Sequence, residues 1–211
     1  MNLGYAISTI IAGLVLLSLV ALNSRIIQGS GEQTLYTMAK THSDMIVDYI
    51  KEDLRTIGYG VDSTAITIAS PNRIQFLAHA DPLPNLRIID WVFDEDTQLS
   101  ARNINVSPLY RRQNVGTPNT AFDPLGDTSI EDIGIGVVRF NLQYLDSNRE
   151  VIEPESSGTI DSSQLELICQ IEVELIVESL DSYDANRFER STWSGEITPF
   201  NLNCTTSPPL P

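Results

Sequence analysis

Residues 6–22 read AISTIIAGLVLLSLVAL, and residues 46–60, further along the same predicted helix, read IVDYIKEDLRTIGYG. The first stretch has no charged residue and is about as long as the shortest segments that cross a bilayer. The second alternates apolar and charged residues at helical spacing and closes with Gly58 and Gly60. Together they predict one long N-terminal helix that joins an apolar anchor to an amphipathic stalk.

Three interpretations of the apolar run compete. A cleaved secretory signal would carry Lys or Arg near its start and a small-x-small cleavage site, and neither is clear here. A buried core helix is equally apolar, but it rarely lies at the extreme N-terminus without polar interruptions. We therefore interpret the run as a retained membrane anchor that occupies residues 1–28.

The stalk, residues 29–60, carries an apolar stripe. Its apolar residues recur every three or four positions, as one face of a helix requires: Leu35, Met38, Ala39, Met45, Ile46, Tyr49, Ile50, Leu54 and Ile57. We expect the lower, N-terminal part of this stripe to contact other subunits and the upper, C-terminal part to pack on the protein's own sheet. Gly29 and Gly31 cost about 2 kcal/mol of helix propensity, which predicts a hinge between anchor and stalk.

After Gly60 the apolar period changes to two, which indicates strands. Residues 65–70 and 73–80 flank a Pro71–Asn72 turn signal. Further strand candidates are 86–95, 98–104, 109–113, 137–146, 164–179 and 187–200, with a loop rich in Asn, Gly, Pro and Thr at 114–127. The sequence therefore predicts an α+β fold in which the long N-terminal helix packs on a mainly antiparallel β-sheet head domain, residues 61–211.

The charge of the chain limits its partners. The net charge of the 211 residues is −15, and Arg25 is the one charged residue before position 30. Such an acidic surface repels phosphates, so we expect no direct binding to nucleic acid. In an exported domain, Cys169 and Cys204 predict one disulfide that ties the C-terminal tail to a strand; the alternative is two unrelated thiols.

No motif in the chain points to catalysis. A nucleophile elbow, HExxH, a P-loop and a dinucleotide fingerprint are all missing from the sequence, so we predict no enzyme, catalytic residue or cofactor. Oxygen ligands for Ca²⁺ are weakly indicated at Asp94, Asp96, Asp123 and Asp127, although none of them belongs to an EF-hand loop. Solvated turn charges are the simpler interpretation, and we expect no metal site. Arg111 and Arg112 are expected to form ion pairs at the surface.

Several segments resemble a known family in the same order. The helix end IVDYIKEDLRTIGYG resembles the end of the long N-terminal helix in PilW-like minor pilins and in the J-type minor pseudopilins of type II secretion. Further similar segments are SPNRIQFLAHAD (70–81), LYRRQ (109–113), VVRFNLQYLDSNRE (137–150), QIEVELIVES (170–179) and PFNLN (199–203). The chain thus looks like a type IV pilin-like protein.

The start of the chain departs from the family pattern. Gly4 and Tyr5 resemble the glycine and aromatic residue at which prepilins are cleaved, but no basic leader precedes them. Thr9 stands about where the family has a glutamate. The resemblance implies a processing point between Gly4 and Tyr5.

The resemblance also implies a function. We expect a structural subunit of a type IV pilus-like or pseudopilus filament that assembles through its N-terminal helix. The expected assembly residues are Tyr5, Ile10, Leu14, Leu17, Leu35, Met38 and Met45. Its partners would be copies of itself or other pilin-like subunits. Before assembly it would lie in the inner membrane, and afterwards in an extracellular filament at the cell surface or in a periplasmic pseudopilus. The alternatives are a membrane-anchored extracytoplasmic binding or envelope protein that does not polymerise, and an anchored hydrolase.

Overall fold

One long α-helix, α1, runs from Leu3 to Arg55. The computed structural model describes residues 3–61, 64–79, 86–115, 129–132, 136–182, 187–202 and 204. The helix continues without interruption through Gly29 and Gly31, so the predicted hinge is wrong. Propagating a helix adds one hydrogen bond for each residue fixed, and good helix formers on both sides outweigh the cost of two glycines.

The end of α1 follows the sequence prediction. Gly58 and Gly60 adopt positive φ angles of 76° and 68°, a conformation that glycine reaches without steric cost. The amide of Gly58 donates to the carbonyl oxygen of Leu77 at 3.0 Å. The turn after the helix is thereby joined directly to the first sheet.

In the described residues, eight strands form two antiparallel sheets. The first sheet has the order β1 (Ile66–Ser70), β2 (Arg73–His79), β3 (Leu86–Phe93), β4 (Leu109–Val115) and β5 (Ser129–Asp132). The second sheet has the order β6 (Val137–Leu145), β7 (Gln170–Glu178) and β8 (Arg190–Ile197). The predicted α+β class, with a long N-terminal helix on antiparallel strands, is confirmed. The division into two sheets and strand β5 were not predicted.

Two predicted strand segments are wrong. Residues 98–104 form turns, because Ser100 and Asn103 satisfy backbone amides locally: Ser100 Oγ accepts from the amide of Arg102 at 3.2 Å, and Asn103 Oδ1 from that of Asn105 at 3.1 Å. The segment 164–169 begins with a short 3₁₀-helix, Leu165–Leu167, and strand β7 starts only at Gln170. The predicted alternation fails there because Leu167 is exposed.

The core lies between α1 and the inner faces of the sheets. The buried apolar residues of the helix are Ala39, Ile46, Val47, Ile50 and Leu54, and Ile57 is buried in the turn that follows it. Trp91 of the first sheet stacks on Phe140 of the second, with ring centroids 6.4 Å apart. The hydroxyl of Tyr144 donates to the carbonyl oxygen of Ser70 at 3.0 Å. These contacts make both sheets and the helix share one core.

The outer face of β7 is largely polar. Ile171, Val173, Leu175 and Val177 are buried, whereas the glutamates between them are partly exposed. Glu174 pairs with Arg139 at 3.3 Å. Alternating apolar and charged residues therefore place one face of the strand in the core and the other in water.

The predicted disulfide between Cys169 and Cys204 is present, with the two Cα atoms 5.5 Å apart. It joins the start of β7 to the segment that follows β8. Within that segment, Asn201 Nδ2 donates to the carbonyl oxygen of Ile57 at the end of the helix, and Leu202 packs against the core. The bond thus holds the C-terminal segment beside the end of α1.

Replacing Cys204 with serine should lower the free energy of unfolding by roughly 3 to 4 kcal/mol, because the bond closes a loop with a sequence separation of 35 residues. The measurement is urea unfolding followed by tryptophan fluorescence. Reductant should destabilise the parent protein to the same extent and leave the variant unchanged. Equal unfolding midpoints for variant and parent would contradict this role of the bond.

Candidate functional site

The N-terminal part of α1 presents an apolar surface that the rest of the described chain does not cover. Its large apolar side chains are exposed: Tyr5, Ile7, Ile10, Ile11, Leu14, Val15, Leu16, Leu17, Leu19, Val20, Leu22, Ile26 and Ile27. By length and composition this helix could cross a membrane, and none of its most apolar stretch is buried. Four of the predicted assembly residues, Tyr5, Ile10, Leu14 and Leu17, lie on this surface.

The apolar stripe of the stalk is partly buried and partly exposed. Ile46 and Ile50 face the core, whereas Met38, Met45 and Tyr49 are exposed to 51%, 40% and 43%. Successive residues of a helix lie about 100° apart, so neighbours such as Met45 and Ile46 point in different directions. The upper part of the stripe packs on the sheets through Ile46 and Ile50, as expected, but Met45 and Tyr49 at the same level lie on an outer side of the helix. Leu35, another predicted assembly residue, is half-buried.

We call Met38, Met45 and Tyr49 the outer stripe. Met45 follows Met38 by seven residues and Tyr49 follows Met45 by four, a spacing that keeps all three on one side of the helix. Next to them lie exposed polar residues such as Asp48 and Glu52. The outer stripe is thus an apolar line on a surface that is otherwise polar.

A buried carboxylate determines which side of α1 faces outward. Asp53, in the last turn of the helix, accepts a bidentate pair of hydrogen bonds from Arg111 of β4, with Nε to Oδ2 at 2.6 Å and Nη2 to Oδ1 at 2.9 Å. Trp91 of β3 donates its indole N–H to Asp53 Oδ2 at 2.8 Å. A charge buried in this way is stable only while its partners are in place. These three side chains therefore fix the rotation of the helix on the first sheet.

A second contact holds the helix on the other sheet. The ammonium of Lys51 lies 5.1 Å from the ring centroid of Trp193 in β8. A Cβ at Gly195, two residues along that strand, would lie 2.4 Å from Trp193 Cζ2, so only glycine leaves space for the indole. With Asp53 on one sheet and Lys51 on the other, the stalk is fixed from two sides.

The buried ion pair was only partly predicted. The expectation that Arg111 forms an ion pair is correct, but its surface location is wrong: the side chain is 13% exposed. The sequence signal for Asp53 is an acidic residue beside the buried Leu54 in the last turn, and the apolar period of the stalk does not single it out. Its partners, Trp91 and Arg111, lie 38 and 58 residues away in sequence, so the spacing of residues on the helix does not reveal them.

A second buried ion pair lies on the outer face of the first sheet. Arg73 Nε and Nη2 donate to the two carboxylate oxygens of Asp90 at 2.9 and 3.1 Å. Burial raises the pKa of Asp90, while the neighbouring Arg73 and Arg112 act in the opposite direction. Because Asp90 lies on the side of β3 away from the helix, this pair does not contribute to the rotation of α1.

Two of the four calcium candidates, Asp94 and Asp96, lie in described residues. Asp94 Oδ1 accepts a hydrogen bond from the amide of Asp96 at 3.2 Å, the geometry of a local turn. Asp123 and Asp127 lie outside the described residues. Within the part of the chain that the structure describes, no group of three or more His, Cys, Asp or Glu side chains is placed to hold a metal ion.

The predicted processing point is exposed. Gly4 and Tyr5 lie in the first turn of α1, and the Tyr5 side chain is 80% exposed. Thr9, at the position where the family has a glutamate, donates its hydroxyl to the carbonyl oxygen of Tyr5 at 3.1 Å. The Thr9 hydroxyl thus forms a hydrogen bond within the helix itself.

The sequence matches no protein-family model and no curated protein. The function is therefore argued from the exposed surface of α1 and from the contacts that orient it.

Replacing Asp53 with asparagine should lower the free energy of unfolding by about 3 kcal/mol, since Arg111 would lose its buried counter-charge. The neighbouring, exposed Glu52→Gln removes the same charge and is the matched control. We expect the control to change stability by less than about 0.5 kcal/mol. Urea unfolding followed by tryptophan fluorescence measures both, and equal effects for the two variants would contradict the assigned role of Asp53.

Proposed function

We propose that this chain is a structural subunit of a type IV pilus-like or pseudopilus filament. The anchor would hold the subunit in the inner membrane before assembly. The same helix would then pack against the helices of other copies, or of other pilin-like subunits, in the filament core. The head would face outward, in an extracellular filament or a periplasmic pseudopilus. This mechanism requires helix packing and no covalent chemistry.

The observation that carries the proposal is the outer stripe. About 20 residues suffice to cross the apolar core of a bilayer, whereas α1 has 53. Met38, Met45 and Tyr49 lie well beyond the apolar run at 6–22 and are still exposed. A protein that is merely tethered has no use for exposed apolar side chains there. A subunit that packs against neighbouring helices buries them.

The physical basis of assembly is an exchange of apolar environments. An apolar helix can leave lipid only if another apolar surface replaces the acyl chains, and close packing with other helices provides that surface. The fixed rotation of the stalk supports this mechanism, because every copy then presents the same outer side.

The alternative is an extracytoplasmic binding or envelope protein that is anchored in the membrane and does not polymerise. It is favoured by the apolar run considered alone, since one spanning helix is sufficient for a tether. In that case a foreign spanning helix should restore function. The outer stripe would then be dispensable.

Replacing Leu17 with arginine should abolish membrane insertion or filament assembly, because a charge at this depth costs about 2.5 to 3.5 kcal/mol. Electron microscopy of filaments sheared from the producing cells, with subunit identification by mass spectrometry, measures the result. Leu17→Ile is the apolar control and should assemble normally. Filaments in normal yield from the arginine variant would refute the proposed function.

The variant Met38→Arg separates filament assembly from tethering. Its head should fold and its anchor should insert normally, but filament yield should fall by about tenfold or more, the effect of losing about 1.4 kcal/mol. The adjacent Thr37, which is exposed on a different side of the helix, supplies the control Thr37→Arg. Unchanged filament yield in Met38→Arg would favour the tethered alternative.

A further inference from the structure

Three segments of the head meet around a cavity of about 650 Å³. They are the turn between α1 and β1, the 3₁₀-helix Leu165–Leu167, and the C-terminal segment that the disulfide holds in place. The volume lies within the range of about 300 to 1,000 Å³ that is typical of ligand-binding pockets. The described residues that line this cavity include none of the outer stripe. It is therefore a second candidate site, distinct from the exposed surface of α1.

Most side chains that line the cavity are aliphatic. Ile66 and Leu165 are buried, whereas Leu167 beside them is 55% exposed. Val61 and Leu202, in the other two segments, are partly exposed. Apolar side chains that are exposed around a cavity can be covered by an occupant, and this removes their surface from water. The occupant therefore has an apolar portion that fits between these side chains.

The polar groups of the cavity are mainly hydrogen-bond acceptors. Glu166 Oε1 accepts a hydrogen bond from Thr64 Oγ1 at 2.8 Å, which orients the carboxylate and leaves Oε2 without a protein donor among the described residues. Asn201 Nδ2 donates to the carbonyl oxygen of Ile57 at 3.4 Å, so the Oδ1 atom of the same side chain is a further acceptor. Among the described residues, no basic side chain lines the cavity. Its electrostatic complement is therefore a cation that can donate hydrogen bonds.

A lysine side chain combines the two required properties. Its four methylene groups pack on aliphatic surface, and its compact ammonium group carries three N–H donors. An arginine pairs best with a carboxylate when both carboxylate oxygens are available, whereas Glu166 Oε1 already accepts from Thr64. A neutral apolar side chain would cover the carboxylate without giving it a donor, which costs free energy. Lysine is therefore the side chain that suits the cavity best.

This chain is a poor source of that lysine. Its sequence contains two lysines, Lys40 and Lys51, and both belong to α1. Lys40 pairs with Asp44 at 3.1 Å, and Lys51 lies over the ring of Trp193. The residues after Cys204, TTSPPLP, include no basic side chain. The net charge of −15 also repels a second copy and attracts a cationic partner.

We propose that the cavity binds a lysine side chain of a different protein, one that presents a basic segment to the head. The lysine methylenes lie against Ile66 and Leu167, and the ammonium group donates to Glu166 Oε2 and Asn201 Oδ1. This inference goes beyond the proposed filament function and does not depend on it, because the same cavity would serve a filament subunit or a tethered protein.

Methyl NMR of the full chain in nonionic detergent micelles tests the chemistry of the ligand. The probe is an acetylated and amidated Gly-Lys-Gly peptide, and the reference peptide has norleucine in place of lysine. We expect the lysine peptide to shift the methyl resonances of Leu167 and Leu202 in a saturable way. The reference peptide should bind at least about tenfold more weakly, because it lacks the charge-assisted hydrogen bonds. Equal dissociation constants for the two peptides, or no shift with the lysine peptide, would overturn the inference.

The variant Glu166→Gln removes the charge and keeps the side-chain oxygen that accepts from Thr64, so the cavity should retain its fold. We expect its dissociation constant for the lysine peptide to rise by about tenfold. The exposed Glu155, which does not line the cavity, supplies the matched control Glu155→Gln. The control should bind the peptide as the parent does. The same dissociation constant in both variants would mean that the peptide responds only to the overall negative charge, which contradicts a built site.

Carbodiimide coupling in the producing cells tests the source of the lysine. The reagent joins a carboxylate to an amine in direct contact and takes up the water that is lost, so mass spectrometry can identify the two residues. We expect an amide between Glu166 and a lysine of a different protein, retained in Glu155→Gln and lost in Glu166→Gln. An amide to Lys40 or Lys51 would assign the cavity to a copy of this chain, and no amide at Glu166 would leave the cavity without a partner. Either result would refute this inference and leave the proposed filament function unaffected.

Discussion

The carboxylate of Asp53 is the contact on which the geometry of the molecule depends. It lies in the last turn of a helix of 53 residues and is held by Arg111 and Trp91 from two adjacent strands. A helix that packs only through aliphatic side chains can rotate by small steps at little cost. A buried bidentate pair cannot, because rotation would break its hydrogen bonds within the core. The direction in which the outer stripe points is therefore set by the head, although the stripe itself belongs to the stalk.

Much of the fold could be predicted from the sequence, for physical reasons that differ between elements. The long helix follows from an uncharged run and a three-four apolar period, and β6 and β7 follow from the largely alternating pattern of Val137–Leu145 and Gln170–Glu178. The division into two sheets could not be predicted, because strand pairing depends on contacts far apart in sequence. The segment 98–104 alternates like a strand, but Ser100 and Asn103 bond to nearby amides instead.

The sequence predicted which residues form the candidate site but not the directions in which they point. Periodicity selected Met38 and Met45 together with Ile46 and Ile50 as one stripe. Periodicity could not show which of these residues face the core and which face outward, because an apolar arc of this width can belong to one surface or to two. The separation comes from Asp53 and Lys51, whose partners lie on different sheets. The hinge expected at Gly29 and Gly31 failed for a related reason: local propensity is a weak term inside a long cooperative helix.

The disulfide between Cys169 and Cys204 has a mechanical consequence. Strands β7 and β8 lie inside the covalent loop that it closes. Tension applied to the chain beyond Cys204 passes directly to Cys169, at the start of the central strand of the second sheet, and cannot peel β8 away from its edge. Tension applied along α1 reaches the head through its packing on β7 and β8, through Asp53 and through the turn at Gly58. A pull on the protein therefore enters the head at its central elements, where many hydrogen bonds must break together.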